Sequence, residues 1–253
     1  MNLLSGKSSS YYFILLFVVS FAFRLFFILI YKFDGFYGQD SYAYYEYSKI
    51  FIESATRFQI PPNFFWPMGF YLFTSVFTLI TDGDIGLAAL LVSLNAGALC
   101  SGAVYLVSYE LLQGIYSEEE RKKASLYSGI ILCFSPILVK SSIVIMSDAL
   151  GLLFAVCGVF YFVKYTNRQK LFYIAASFAF ISVSIMTRYA YLIIIIPLAV
   201  YLVYLKFSKA ERFELKLNHL LISVFIGVLI FSPQLYYILN YGVPNLQYEG
   251  EIG

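Results

Sequence analysis

Apolar runs long enough to cross a bilayer follow one another along this chain with only short polar breaks, and that pattern leaves few folds open. Windows at about 11–31, 85–112, 124–139, 145–165, 171–187, 189–206 and 218–240 each read as a membrane span, because a helix needs roughly 20 apolar residues to cross. A further run at 68–80 is too short to cross and is expected to lie on the surface or dip into it. Across the 253 residues, 60% are hydrophobic and 13% charged, too little polar surface to cover a water-soluble fold. The fold class predicted is an all-α polytopic membrane protein with about seven transmembrane helices. Residues 1–253 form a single transmembrane domain, with no repeat, linker or soluble domain between the spans. The first run lacks a small-residue cleavage site and reads as a retained helix, not a signal peptide.

Lys and Arg collect on the cytoplasmic side of membrane proteins, so their distribution orients the chain. With the N-terminus inside, 11 of the 17 basic residues fall in inner segments: Lys7, Arg121, Lys122, Lys123, Lys164, Arg168, Lys170, Lys206, Lys209, Arg212 and Lys216. Lys32, Lys49, Arg57, Lys140 and Arg188 fall outside, and Arg24 lies within the first span. Counting 68–80 as a crossing would reverse this bias. Residues 33–83 therefore form one large external loop with amphipathic juxtamembrane helices. The expected location is the cell membrane, or the endoplasmic reticulum membrane in a eukaryote. The net charge of +2 is spread over separate clusters, which argues against nucleic acid as a partner. Cys100, Cys133 and Cys157 lie in apolar runs without metal-ligand or disulfide spacing.

Spans three to six are short: residues 124–139 rise only about 24 Å at 1.5 Å per residue, against a hydrocarbon core of roughly 30 Å. Their outer turns would end below the headgroups, where polar groups need water or a polar ligand. Asp40 opens "GQDSYAYYEYSKIF", in which Tyr44, Tyr47 and Phe51 mark one face of a helix suited to the headgroup layer. Two readings of Asp40 coexist: an N-cap of that helix, and a general base beside apolar surface and a substrate hydroxyl. Lys140, Asp148 and Arg188 flank the outer turns, either as interfacial anchors or as the cations and acid that a lipid-linked phosphate requires. Arg24, inside the first span and nearer its outer end, reads as structural, either snorkelling to the interface or pairing with a polar group on a neighbouring helix. Asp82 and Asp84 in "TDGDIG" have a metal-pair spacing, but a turn with Asp84 capping the next helix is the simpler account. His219 begins the last span and reads as an interface residue. No tight acidic or histidine cluster demands a metal, and a divalent ion stays open as a cofactor.

Several stretches together resemble membrane glycosyltransferases of the GT-C fold, including the protein O-mannosyltransferases and aminoarabinose transferases. They are the Arg-bearing first helix, "GQDSYAYYEYSKIF", "WPMGFYLFTSVFTLITDGD", "MSDALGLLFAVCGVFYFVKY", "MTRYAYLIIIIPLAVYLVY" and "FSPQLYYILNYGVPN", in an order that covers almost the whole chain. The resemblance implies sugar transfer from a polyprenyl- or dolichyl-phosphate donor to a lipid, glycan or protein acceptor at the external face, with inversion at C1. It implies Asp40 as catalytic base, Arg188, Lys140 and Arg57 as donor-phosphate contacts, and Asp148, Tyr44 and Glu46 at the substrate cavity. Where many relatives carry a second acid beside the aspartate, this chain has Ser41, and Phe65 and Trp66 precede Pro67 where relatives carry a charge. Glu46 or Asp148 are the substitutes expected for that acid. Relatives commonly continue through more helices, so the chain is expected to be the amino-terminal portion of a longer protein or the product of a shortened reading frame. A transporter is the rival reading, disfavoured because the charges outside the cytoplasmic loops gather at one surface instead of at the midplane. A noncatalytic family member is a third.

Overall fold

The computed structural model describes residues 8–62, 64–207 and 216–241. Ten α-helices make up the fold, with no strand among the described residues: α1 (Ser9–Tyr31), α2 (Gly38–Thr56), α3 (Gly69–Phe77), α4 (Ile85–Leu111), α5 (Glu118–Cys133), α6 (Pro136–Ile143), α7 (Asp148–Arg168), α8 (Leu171–Thr187), α9 (Ile195–Phe207) and α10 (Leu217–Tyr241). Short 3-10 turns extend α3 at Thr78–Ile80 and precede α9 at Tyr189–Ile194. The protein is an all-α, membrane-integral polytopic chain. Five segments, α1, α4, α7, Tyr189–Phe207 and α10, are each long and apolar enough to cross by themselves. A sixth crossing arises if α5 and α6 are one broken span, and α8, at 17 residues, is shorter than these.

The run expected at 124–139 differs most from its sequence reading. It starts early, because Ser117 and Glu120 form a capping box that draws the charged "EEERKK" stretch into the first turns of α5. Glu118 and Lys122, and Glu119 and Lys123, add i,i+4 ion pairs along that stretch. It then breaks, since Pro136 cannot continue the preceding hydrogen-bond ladder but suits the first turn of a new helix. The axes of α5 and α6 meet at 54°.

Helix α4 is the hub, packing against α1, α3, α5, α6 and α7, while α8 packs on α7 and α10 on α8. Its buried face is built from Ala88, Ala89, Ser93, Ala96, Gly97, Ala98, Cys100, Ser101, Gly102 and Ala103. Small residues let helix backbones approach closely where lipid supplies no hydrophobic drive for association. Of the most apolar window of α4, 72% is buried, against none of the Tyr189–Phe207 window, so the former is core and the latter presents its apolar side chains to lipid. Asp84 caps α4 by accepting from Leu87 N–H at 2.9 Å, the capping role read from its spacing. Cys100 and Cys133 are buried core residues.

Helices α2 and α3 form a layer over one end of the bundle. The Tyr44, Tyr47 and Phe51 face of α2 does not lie in a headgroup layer: it turns inward onto Phe64, Trp66, Phe70 and Tyr71. Tyr44 stacks on Trp66 with centroids 4.6 Å apart and meets Phe70 edge-on at 5.1 Å. An aromatic partner within the same loop buries these rings more completely than an interface would, leaving Tyr44 only 1% exposed. Met68 N–H donates to Gln234 Oε1 at 3.0 Å and Tyr237 Oη to Pro61 O at 2.7 Å, fastening the layer to α10. Lys209 and Arg212, part of the charge count, and the Gly-x-Pro exit after Tyr241 lie outside the described residues.

Candidate functional site

A cavity of about 740 Å³ opens between the start of α2, the length of α6 and the start of α7. Tyr37, Gly38, Gln39 and Asp40 form one wall, Ile137, Lys140 and Ser141 another, and Met146 and Asp148 the floor. Asp40 thus meets Lys140 and Asp148, about a hundred positions further along the chain, in one hollow.

The local sequence explains how each wall is held. Gly35 adopts φ +92°, a left-handed backbone that only glycine takes without strain, and a Cβ there would meet Ile145 Cγ1 at 3.0 Å. Its carbonyl accepts from Ile145 N–H at 2.9 Å, tying the entry to α2 against the α6–α7 connection. Ser93 of α4 holds that connection too, donating to Met146 O at 3.0 Å. Ser41, the neighbour of Asp40, is fully buried and accepts from Tyr37 N–H at 2.7 Å, closing the first turn of α2. A carboxylate there would point away from the cavity, into the protein.

Asp40 is not the N-cap. Tyr37 occupies that position, and Asp40 sits in the first helical turn, where the positive end of the helix dipole favours an anion. It is solvent-exposed on the cavity wall and makes no ion pair among the described residues. Lys140 places its Nζ 5.0 Å from the ring centre of Tyr37, a cation–π contact that leaves the ammonium's donors open to the cavity. Asp148, in the first turn of α7, forms an ion pair with Arg188 Nη1 through Oδ1, while its Oδ2 is buried without a hydrogen-bond partner. Tyr191 Oη donates to Asp148 O at 2.8 Å, and Gly151 gives the Tyr191 ring its space.

The remaining candidates fall elsewhere. Arg188 stands behind Asp148 and does not line the cavity. Tyr44 is in the aromatic core, its hydroxyl 2.7 Å from Ser147 Oγ, so it touches the site only through the residue before Asp148. Burial pushes that hydroxyl's pKa up, partly offset by the Ser147 hydrogen bond. Glu46 on α2 and Arg57 at its C-cap are exposed away from the cavity, about two and about five turns along from Asp40 respectively. Gln39, Ser141 and Met146 line the hollow and were missed by the sequence reading; Ser141 carried a signal, being a polar residue beside Lys140 in a short span. No group of three or more His, Cys, Asp or Glu residues that could hold a metal ion occurs among the described residues.

Residues 61–237 match the family described as dolichyl-phosphate-mannose-protein mannosyltransferase. The match takes in Lys140, Asp148 and Arg188 and begins beyond Asp40. No curated protein and no solved structure matches the chain. Since the family covers well over half of the sequence, the chain belongs to the dolichyl-phosphate-mannose-protein mannosyltransferase family, membrane-integral glycosyltransferases of the GT-C type.

Proposed function

We propose that the cavity is the reaction site of an inverting glycosyltransferase that takes a sugar from a polyprenyl-phosphate donor at the non-cytoplasmic face. The observation that carries this reading is the meeting of Asp40, Lys140 and Asp148 in one hollow. The family description names mannose on dolichyl phosphate as donor and a protein as acceptor, which makes this donor and a hydroxyl-bearing peptide the first to test.

In this reading the Asp40 carboxylate takes the proton from the acceptor hydroxyl as its oxygen attacks sugar C1. The C1–O bond to the lipid phosphate breaks, its electron pair stays with the phosphate, and C1 inverts. Lys140 neutralises the charge that grows on the departing phosphate, where a fixed cation contributes most. Asp40 suits the base role better than Asp148 because the charge of Asp148 is engaged by Arg188. The Asp148–Arg188 pair instead fixes the floor of the site.

The basic residues support the assigned face. Arg121, Lys122, Lys123, Lys164, Arg168, Lys170, Lys206 and Lys216 gather at the helix ends opposite the cavity, as cytoplasmic loops do. Transfer of radiolabelled mannose from dolichyl phosphate to a Ser/Thr peptide tests the reading, with Asp40→Asn expected to lower turnover by about 10²–10⁴-fold. Equal rates in a folded Asp40→Asn protein would remove the assigned base. Solute counterflow in proteoliposomes without sugar transfer would favour transport instead.

A further inference from the structure

Arg24 presents a problem that the transfer reaction does not by itself explain. It lies in the second half of α1, among apolar residues, is fully buried, and has no carboxylate partner among the described residues. A cation at the centre of a span costs about 2.5–3.5 kcal/mol even on lenient scales, and one buried within a span is rare unless it is paired or hydrogen-bonded. An apolar residue of similar volume would generally serve stability as well.

What the guanidinium does is bridge. Its Nε donates to Ser142 Oγ on α6 at 2.7 Å, and Nη1 donates to Cys133 O, the last residue of α5, at 3.2 Å. Nη1 also donates to Ser20 O at 3.0 Å and contacts Ser20 Oγ, and Ser20 Oγ lies 3.0 Å from Ser101 Oγ on α4. Carbonyls in the last turn of a helix lack intrahelical partners, and the Pro136 break leaves that of Cys133 inside the membrane, where an unsatisfied group is costly. Only a planar fork with several fixed donors reaches both sides of the 54° bend at once. Gly97 on α4 makes room: a Cβ there would collide with Ser142 and stand 3.3 Å from Arg24 Nε.

We propose that Arg24 is a positioning residue for sugar transfer, clamping the α5–α6 bend so that Lys140 and Ser141, the cavity-lining neighbours of Ser142, stand over the site. The proposal rests on the glycosyltransferase reading of the cavity. Helix α1 supplies the clamp, α4 the anvil, and α6 the part that is aimed. Removing the guanidinium lets the bend relax and carries Lys140 away from the donor phosphate without touching any group that meets substrate.

The test uses the full chain in nanodiscs, with Arg24→Gln in the native sequence and in a Ser141→Cys reporter. Two quantities are read per folded molecule: kcat/KM for the lipid donor, and the rate at which a membrane-impermeant maleimide labels position 141 above the parent's own cysteines. The expected result is a loss of about 10²-fold in kcat/KM, the scale of a small misplacement, together with several-fold slower labelling. Unchanged labelling overturns the clamp, and changed labelling with unchanged kcat/KM overturns its role in the reaction. If Arg24→Gln does not fold, Ser142→Ala decides: it deletes the Nε acceptor, and otherwise only the hydroxyl's bonds to the Leu138 and Val139 carbonyls of its own helix; it should move both readouts the same way by less, and no movement overturns the proposal. If the wild type transfers no sugar, the enzymatic reading fails and with it the positioning role, while the labelling rates still report whether Arg24 holds the bend.

Discussion

Tyr44 Oη and Ser147 Oγ lie 2.7 Å apart, joining the middle of α2 to the residue that precedes Asp148 at the start of α7. The bond is buried and spans about a hundred positions of chain. It couples the docking of the helix that bears Asp40 to the placement of the second cavity carboxylate. Around it, the ring of Tyr44 is stacked on Trp66, so packing and hydrogen bonding fix the same side chain.

Replacing Tyr44 by Phe keeps the ring and strands Ser147 Oγ. The expected cost is about 1–3 kcal/mol, the penalty for an unpaired buried polar group, read as a lower midpoint of thermal unfolding in detergent. Burial raises the Tyr44 pKa in the folded state, so above the unfolded value of about 10 the unfolded chain has released a proton that the folded one retains. Its contribution is therefore complete below pH 10 and lost as pH rises beyond it. The unfolding midpoint of the wild type should fall more steeply above pH 10 than that of Tyr44→Phe; parallel curves would contradict the assignment.

Asp148 and Arg188 should behave as a coupled pair. Their side chains are 29% and 39% exposed, which places the pair between a surface and a buried ion pair. Asp148→Asn, Arg188→Gln and the double substitution, compared by unfolding, should give a coupling energy of about 1 kcal/mol. Sugar transfer should fall in all three, because each loosens the floor of the cavity.

Lys140 and Asp40 should be separable kinetically. On the proposed reading Lys140 faces the leaving phosphate, so Lys140→Met is expected to lower kcat/KM for the lipid donor by about 10²–10³-fold. Lys140→Arg should restore part of the loss, since it keeps the charge at a different reach. Varying the acceptor at saturating donor should show little change in acceptor KM for Lys140→Met.

Gly69 is a packing position. A Cβ there would stand 2.6 Å from Met186 O and 2.7 Å from its carbonyl carbon, both backbone atoms of α8 that cannot turn aside. Gly69→Ala should cost about 1–3 kcal/mol by overpacking, seen as a reduced thermal midpoint. Transfer should also drop, because α3 shifts the aromatic layer under α2.

The helices themselves were legible wherever apolar runs were long: α1, α4, α7 and α10 fall within a few residues of their expected bounds. Hydropathy misplaced the start of α5, since a capping box recruited charged residues that an apolar window rejects, and it passed over the break at Pro136. For the site, Asp40, Lys140 and Asp148 were named from residue type and position near span ends, and the structure brings those three to one cavity. Tyr44, Glu46 and Arg57 were drawn in by closeness along the chain, yet helical periodicity turns Tyr44 inward and carries the other two away from the cavity.

By itself the sequence determined that this chain is membrane-integral and helical, where its long helices run, and which charges stand at one end of them. These follow from transfer free energies, which depend on composition over a window and hardly on neighbours far along the chain. The tertiary structure decided which charges share a hollow, that Asp148 is spoken for by Arg188 while Asp40 is not, that α2 buries its tyrosines in the protein instead of the headgroups, and that Arg24 holds a bend. Those outcomes depend on distances between groups a hundred residues apart, set by close packing on the small-residue face of α4, and no local window contains them.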